Sequence, residues 1–418
     1  MAEWLDVALG DLVDIKHGFA FQGEFFRDDP PGDVLITPGN FAIGGGFKGD
    51  KLKYYSGPVP EEYVLSAGDL IITMTDLSKE GDTLGYPAIV PRSSDRFLHN
   101  QRIGKVLGLG GQANMGFLYY LFRTREYRDE VLASATGTTV KHTAPSRIKA
   151  FRLALPPLAT QQGIAEVLSA LDDKIELNRR MNQTLESVAR AIFRSWFVDF
   201  DPVVAKAAGR QPFGMSTDVA ALFPGRFVES AIGPAPKGWL LGRLDDLVVL
   251  QRGYDLPATE RTPGVYPVLS AGGPTGTHCE FKVRGPGVTT GRSGQLGAVY
   301  FVHEDFWPLN TSLYVKEFRA SSPLHAYFLL QTLDFDSFNA GSAVPTLNRN
   351  HVHNLPVVVS PEKLLKHFSA FAGPLFDLSH NNEAESRTLA ALRDTLLPKL
   401  MSGELRIRDA EKLAGSHV

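Results

Sequence analysis

The sequence predicts an α+β protein with two repeated mixed α/β domains, separated by two long helices that form an antiparallel coiled coil with internal pseudo-two-fold symmetry. Three observations predict this fold class. The chain repeats part of its own sequence, and two long segments carry a heptad pattern of apolar residues. In addition, 40 glycines and 27 prolines among 418 residues indicate many turns and short strands.

The internal repeat is visible in two ungapped matches. The first aligns residues 4–18 with 239–253, a shift of 235, and the second aligns 137–157 with 341–361, a shift of 204. The identical residues include Trp4, Leu5, Asp11, Leu12, Val13 and Gly18 with Trp239, Leu240, Asp246, Leu247, Val248 and Gly253, and Gly137, Val140 and Pro157 with Gly341, Val344 and Pro361. Two copies of one domain suit a two-part target, of which duplex DNA is the commonest. We expect the tryptophans at 4 and 239 to anchor the two cores.

The first domain is predicted to cover residues 1–155. Short apolar runs between Gly, Pro and Asp residues indicate strands, and one longer stretch reads as a helix. The predicted strands are Asp33–Thr37, Asp69–Thr73, Pro87–Pro91 and Arg152–Pro156, and the predicted helix is Met115–Leu132.

A long helix is predicted from about residue 160 to 198, within a segment that runs from 156 to 200. Its seam residues are separated by alternating steps of four and three, which is the heptad spacing of a coiled coil. The seam consists of Ile164, Leu168, Leu171, Ile175, Asn178, Asn182, Leu185, Ala189, Ile192 and Trp196. Asp199 and Pro202 mark the predicted end of the helix.

The second half of the chain repeats this order. Residues 201–236 are rich in Pro, Gly and Ala and are predicted to be a linker with a short helix near Asp218–Leu222. The second domain is predicted over 237–359, and the second long helix from about 361 to 400, within a segment 360–405. Its seam consists of Phe368, Ala372, Leu375, Ser379, Asn382, Ser386, Leu389, Arg393, Leu396 and Leu400. The tail, residues 406–418, is expected to be frayed beyond Arg408.

Both seams are apolar at their ends and polar in the middle. Asn178 and Asn182 occupy the middle of the first seam, and Ser379, Asn382 and Ser386 occupy the middle of the second. Polar seam residues cost stability but fix the register and the partner. Antiparallel pairing would bring the two polar middles together. The alternative is that each helix packs only on its own domain and turns its polar residues to solvent.

Composition limits the class of protein. The single cysteine, Cys279, excludes an internal disulfide and a cysteine-based zinc site. Residues 1–6 lack the features of a signal peptide, and no stretch approaches the ~18 apolar residues of a membrane span, so we expect a cytoplasmic protein without a membrane partner. The net charge is −3. Any DNA-binding surface is therefore a local patch, or partner chains supply part of the phosphate contact.

Two corresponding windows, residues 131–165 and 337–361, contain no acidic residue. Such windows in an acidic protein are typical of surfaces that face phosphate, although a loop before a buried strand would also explain them. The candidate DNA-binding residues there are Thr138, Thr139, Lys141, His142, Arg147, Thr346, Asn348, Arg349, Asn350 and His351. Two more, Arg292 and Ser293, lie in the loop Gly291-Arg-Ser-Gly294, which can present backbone N–H groups and a guanidinium to phosphate. The polar residues differ between the two copies, as contact with two different half-sequences requires.

The sequence offers little sign of catalysis. It has no phosphate-binding P-loop and no nucleophile elbow, and no histidine pattern indicates a metal site. Asp255 with Glu280 and Lys282 formally resembles the acidic triad of metal-dependent nucleases, so a stand-alone or fused restriction nuclease is one alternative function. A coiled-coil scaffold that binds no DNA is the other alternative.

The chain resembles the specificity subunit of type I restriction–modification systems over nearly its whole length. Together with the tandem architecture, several stretches carry the resemblance. They are Lys237-Gly-Trp239, Gly291-Arg-Ser-Gly294, Trp307-Pro-Leu-Asn-Thr-Ser312, Leu155-Pro-Pro157 with Gln161-Gln162 and Ile164-Ala165, Leu171-Asp-Asp-Lys-Ile175, and Leu397-Pro-Lys-Leu-Met-Ser-Gly403. The second long helix departs from the pattern, because it opens with Pro361-Glu-Lys-Leu rather than a Pro-Gln-Gln-like start.

The resemblance implies a non-catalytic subunit in which each domain recognises one half of a bipartite double-stranded DNA sequence. It implies that the coiled coil sets the spacing and docks two methyltransferase subunits, and that two motor–nuclease restriction subunits join. S-adenosylmethionine, ATP and Mg²⁺ would then belong to those partners, and this chain would carry no cofactor, metal or catalytic residue.

Overall fold

The computed structural model describes residues 4–338 and 345–415. It divides into two compact units: a first unit of residues 1–177 and 385–418, and a second unit of residues 178–384. None of the described helices is long and apolar enough to cross a membrane. The α-helices are α1 (Met115–Leu121), α2 (Arg125–Ala133), α3 (Pro145–Lys149), α4 (Leu158–Phe197), α5 (Asp201–Ala207), α6 (Thr217–Ala221), α7 (Leu244–Leu247), α8 (Pro323–Gln331), α9 (Arg349–His353), α10 (Glu362–Met401) and α11 (Ile407–Gly415).

The strands are short, as the Gly and Pro content predicts. In the first unit they are β1 (Leu5–Ala8), β2 (Val13–His17), β3 (Phe26–Arg27), β4 (Asp33–Leu35), β5 (Lys53–Tyr55), β6 (Val64–Leu65), β7 (Leu70–Thr73), β8 (Thr75–Asp76), β9 (Pro87–Ile89), β10 (Phe97–Leu98), β11 (Ile103–Gly108), β12 (Lys141–His142) and β13 (Arg152–Leu155). In the second unit they are β14 (Phe227–Val228), β15 (Ala235–Pro236), β16 (Leu240–Arg243), β17 (Val248–Arg252), β18 (Tyr266–Ser270), β19 (Gly273–His278), β20 (Gly287–Gly291), β21 (Val299–Val302), β22 (Trp307–Pro308), β23 (Ser312–Phe318) and β24 (Pro356–Val359).

The first unit is built on an antiparallel sheet with strand order β2-β11-β7-β9. A second, five-stranded sheet has the order β3-β5-β4-β10-β6, and β1 pairs with β13 at the two ends of the domain. The predicted helix Met115–Leu132 is wrong in one respect, because the chain forms α1 and α2 instead. Phe122 ends α1, and the side chain of Thr124 accepts a hydrogen bond from the backbone N–H of Tyr127 and caps α2.

The long helices contribute to the first unit with the beginning of α4 and the end of α10. Ile164, Leu168 and Leu171 of α4 lie in one buried cluster with Leu389, Leu396 and Leu400 of α10. Asp172 contacts Arg393 at 2.6 Å, and Lys174 contacts Glu385 at 3.5 Å, so the two helices run antiparallel. Ile175 is half-buried beside this cluster. Pairing of the two helices confirms the predicted coiled coil within this unit.

The tail does not fray at Arg408 as the sequence predicted. Instead α11 packs on the first unit with Ala410 and Ala414 buried, and Ile407 lies against Gly163 of α4. Trp4, half-buried, lies against Gly403 of the same segment. Small and apolar residues on one face of α11 explain why this short helix docks rather than remaining in solvent.

The second unit repeats the arrangement of the first. Its antiparallel sheet has the strand order β17-β23-β20-β21, beside a three-stranded sheet β19-β18-β22 and a closing pair β16-β24. The end of α4 and the beginning of α10 complete the core, with Ala189, Phe193, Phe368 and Ala372 buried. Trp239 is buried in the same core. Residues 201–236 are not an open linker, since Val203 of α5 and the later Phe223 are buried there too.

The polar middles of the two seams meet inside the second unit. Asn382 donates its side-chain amide to the side-chain oxygen of Asn182 at 2.8 Å, and Asn182 donates to the carbonyl of Ser379 at 3.1 Å. Asn178, also buried, donates to the carbonyl of Asn382 at 3.4 Å. Leu185, Ile192 and Leu375 are half-buried along the same helices. These hydrogen bonds satisfy the side-chain amide nitrogens of the three asparagines, which would otherwise be costly to bury.

Candidate nucleic-acid interface

A small antiparallel ribbon projects from the sheet of the first unit. Directly after β7, strand β8 pairs with β12 in the register Lys141 with Asp76 and His142 with Thr75. His142 also exchanges both backbone hydrogen bonds with Thr136, which makes residues 136–142 a hairpin. We call residues 74–76 and 136–143 the first ribbon. The short helix α3 follows it and leads into β13.

The second unit has a ribbon at the corresponding place. The loop after β20 pairs with the segment before α9, through an antiparallel bridge between Ser293 and Thr346. The N–H of Gly294 donates to the carbonyl of Pro345, and the N–H of Leu347 donates to the carbonyl of Arg292. We call residues 292–294 and 345–347 the second ribbon. A two-stranded ribbon and a short helix are both of a size that enters the major groove of DNA.

The hydrogen bonds of the two ribbons match residue by residue. The N–H of Met74 donates to Arg102 and its carbonyl accepts from Thr143, just as the N–H of Arg292 donates to Thr311 and its carbonyl accepts from Leu347. Thr143 and Leu347 differ by 204 positions, the shift of the second sequence match, and so do the first residues of β13 and β24. The repeat found in the sequence therefore continues through both ribbons and both short helices.

The predicted residues of the first unit gather at its ribbon. Thr138 and Thr139 are exposed at the hairpin tip, and Lys141 and His142 lie on β12. His142 Nδ1 lies 3.1 Å from Thr75 Oγ1. Arg147, exposed on α3, donates to the carbonyl of Ser134 at 2.6 Å. The hairpin tip begins at Gly137, where a Cβ atom would lie 2.0 Å from the carbonyl oxygen of Val140.

The predicted residues of the second unit gather in the same way. Arg292 and Ser293 pair with the segment that holds Thr346, and Asn348 caps α9 by accepting from the N–H of Asn350 at 3.0 Å. Arg349, Asn350 and His351 are exposed on α9. Arg292 donates to the carbonyl of Asn310 at 3.3 Å. Gly341 and Val344, which the sequence comparison used, lie outside the described residues.

Sequence reasoning missed one part of the first unit. Residues 77–83, which we call the insertion loop, separate the first ribbon from the turn Leu84-Gly85. Asp76 holds this loop, because its carboxylate accepts hydrogen bonds from the backbone N–H groups of Ser78 and Thr83 and from the Thr83 hydroxyl. Burial opposes ionisation of Asp76, but these donors outweigh it and lower its pKa. The pattern Asp76-x-Ser78 is typical of such a turn, so the sequence contained a signal that could have predicted the start of this loop.

The residues proposed for a nuclease site have other partners. The Asp255 carboxylate accepts a hydrogen bond from the side-chain amide of Asn310. The ammonium of Lys282 lies over the Trp307 ring, 4.6 Å from its centroid, while Glu280 is exposed. Within residues 4–338 and 345–415, no group of three or more His, Cys, Asp or Glu side chains could hold a metal ion. The geometry gives no support to the nuclease alternative.

Comparison with known proteins shows which family the chain resembles. The family model described as "Type I restriction modification DNA specificity domain" matches residues 1–187. The HindI specificity subunit of Haemophilus influenzae is 26% identical over 97% of this chain and 100% of that protein. The MjaIX specificity subunit of Methanocaldococcus jannaschii is 26% identical over 78% of this chain and 76% of that protein.

A solved structure shares the fold. The S subunit of a type I restriction–modification system from M. genitalium superposes with a TM-score of 0.57 and 18% identity, over 95% of this chain and 96% of that chain. These findings agree with the duplicated ribbon-and-helix architecture. They are the domain match, two relatives that extend over both repeats, and the common fold. The chain is therefore similar to type I restriction–modification specificity subunits over nearly its whole length, and its residues 1–187 match their DNA specificity domain.

Proposed function

We propose that each unit recognises one half of a bipartite double-stranded DNA sequence through its ribbon and the short helix that follows. The observation that carries this proposal is the residue-by-residue match between the two ribbons. The same framework presents Thr138, Thr139, Lys141 and His142 in one unit and Arg292, Ser293 and Thr346 in the other. Different side chains on one framework would contact two different half-sequences.

We further propose that α4 and α10 set the distance between the half-sites and dock two methyltransferase subunits, with two restriction subunits joining for cleavage. S-adenosylmethionine, ATP and Mg²⁺ would bind those partners, and this chain would perform no chemical step. The net charge of −3 supports a role for partner chains in phosphate contact. We also propose that the complex acts on DNA in the cytoplasm.

A domain exchange tests the assignment of one half-site to each unit. Residues 237–355 are replaced by the corresponding segment of a relative with a different target, and the methylated sequences are determined by single-molecule sequencing of the host genome. We expect one half of the recognised sequence to change and the other to persist. Exchange of residues 1–155 is the matched control and should change the opposite half. A change in both halves, or in neither, would contradict the proposal.

Helix length tests the spacing. Adding one heptad to each of α4 and α10 lengthens each helix by about 10 Å, which corresponds to roughly three base pairs. We expect the methylome of this variant to show the same half-sites separated by about three more base pairs. A heptad added to α4 alone should instead abolish methylation, because the seam residues would lose their partners. An unchanged spacing would rule out the helices as the determinant. The scaffold alternative predicts no sequence-specific retention of DNA on a filter, even with the methyltransferase subunit present.

A further inference from the structure

The first unit contains more chain at its ribbon than the second. From Met74 to Leu84 it has eleven residues, whereas the matching stretch from Arg292 to Leu296 has five. The six additional residues form most of the insertion loop, which begins immediately after β8. The insertion loop is thus a feature of one unit only, placed where the two units must differ if they recognise different half-sites.

The insertion loop is held firmly in place. Besides the three hydrogen bonds to Asp76, the buried guanidinium of Arg128 donates to the carbonyl of Gly81 at 3.0 Å and lies 4.0 Å from the centroid of the Tyr86 ring. Gly81 has φ +72°, and a Cβ atom there would lie 2.9 Å from Leu132 and 3.6 Å from the Lys141 side chain. The insertion loop therefore packs directly against the ribbon and is ordered before any ligand arrives, which lowers the entropic cost of binding.

The anchored loop carries an exposed apolar side chain. Leu77 is 63% exposed and lines an open cleft of about 500 Å³, which is also lined by Ile43, 72% exposed. Asp76 of the ribbon lines the same cleft, so the cleft is continuous with the ribbon. Lys48 and Asp82 also line it, and Lys79 and Glu80 are exposed on the insertion loop. The mixed charges leave the two large apolar side chains as the distinctive feature of this anchored surface, and they fit an apolar group of a ligand bound at the neighbouring ribbon.

DNA offers one such group in its major groove, the C5-methyl of thymine. We propose that Leu77 and Ile43 contact the methyl group of a thymine in the half-site recognised by the first unit, and so help to specify an A·T pair there. This inference rests on the proposed function. It assigns specificity to residues outside both ribbons and to one half-site only.

Replacement of thymine by deoxyuridine tests the contact, because it removes only the methyl group. The half-sites are first assigned by methylome sequencing and the domain exchange. Binding is then measured for the complete complex with its methyltransferase subunits, on duplexes with one thymine at a time replaced by deoxyuridine. We expect one replacement in the first half-site to weaken binding about fourfold, as burial of a methyl-sized group predicts. In Leu77→Ala that difference between thymine and deoxyuridine should vanish, and in Ile43→Ala it should shrink.

Two controls separate the outcomes. Leu413→Ala removes a leucine of similar exposure on α11 and should leave the thymine preference intact. Replacements in the second half-site should have the same effect on the original protein and on Leu77→Ala. Two results would overturn this inference: a first half-site without an A·T pair, or wild-type binding that does not change with any deoxyuridine in the first half-site. Neither result would contradict the assignment of one half-site to each unit. Failure of the domain exchange would instead contradict the proposed function itself.

Discussion

Single residues decide the shape of the two ribbons, the surfaces that we propose contact DNA. Gly137 at the tip of the first ribbon has φ +95°, and Gly291 at the start of the second ribbon leaves no room for a side chain, since a Cβ atom would lie 1.8 Å from the carbonyl oxygen of Gln295. Both positions require glycine because the backbone folds back on itself there. The sequence comparison identified Gly137 as repeated, but only the hydrogen bonds of the ribbon show why it is needed.

Gly137→Ala is expected to damage recognition of the first half-site. The substitution adds a clash with Val140 to the cost of a left-handed backbone, so the tip with Thr138 and Thr139 must move. We expect binding to weaken roughly tenfold or more, the scale of one lost base contact, in competition binding assays with half-site variants. Gly68→Ala is the control, because Gly68 has φ +90° with nothing within 4 Å of its Cβ position. Equal losses of affinity in the two variants would show that strain alone is responsible.

For single residues, the composition of the sequence predicted where candidate residues cluster, but it did not predict which side chains contact each other. The acid-free windows grouped Lys141 with His142 and Arg349 with His351, and the structure holds each pair close to the ribbon of its unit, because the repeat keeps each window at the same place. That these residues contact DNA stays a prediction. Sequence analysis did not predict the insertion loop, because Arg128, which holds the loop, lies 47 residues from Gly81 in sequence. A contact between residues so far apart produces no periodic pattern in the sequence.

Among the elements, the two long helices were the most predictable. Heptad spacing predicted helices over about 160–198 and 361–400, and the structure has them over 158–197 and 362–401. A pattern sustained over five heptads outweighs local preferences. The single helix predicted over Met115–Leu132 is interrupted at Thr124. The side chain of this threonine caps a new helix, which competes with continuation of the first helix.

The polar middle of the seams gives a test at the element scale. Asn382→Ala removes the donor to Asn182 and leaves a largely buried amide oxygen without it, so we expect the free energy of unfolding to fall by about 1–3 kcal/mol. Replacing Asn182 and Asn382 together by Leu should recover stability, because an apolar pair suits a helix interface. Urea denaturation measures both. Thr395→Ala, an exposed residue that bonds only within α10, is the control and should change little. A double variant less stable than Asn382→Ala would contradict this account.

Deletion of α11 gives a second test. Removing residues 406–418 exposes apolar surface that Ile407, Ala410 and Ala414 cover in the first unit, so we expect a loss of about 2–3 kcal/mol in that unit. Limited proteolysis combined with thermal unfolding would show the first domain opening at a lower temperature while the second is unaffected. Lys412→Ala, an exposed position on the same helix, should behave as the original protein. A first domain with unchanged stability would mean that the tail contacts add nothing.

At the scale of the whole molecule, the amino-acid composition determines the net charge of the chain. If the ribbons contact DNA as proposed, a chain of net charge −3 can offer phosphate contacts in few places, so each cation there should have a measurable effect on binding. Arg349→Ala is expected to weaken binding to all sequences alike and to make the slope of log K against log salt shallower by about 0.9. Titration of binding against salt in the assembled complex measures the slope. Lys366→Ala, exposed beside Glu362 on α10, should leave it unchanged. A base-specific loss in Arg349→Ala would reassign this residue to base contact.

The order of the chain makes the first domain dependent on segments that follow the second. Its core is completed by Leu396 and Leu400 of α10 and by Ala410 and Ala414 of α11, which leave the ribosome after the second domain. Proteins with several domains generally fold from the amino end as they emerge. Here the first domain stays unfinished until the second has been made, with apolar surface exposed to chaperones, and a chain that stops within α10 would leave the first domain without part of its core.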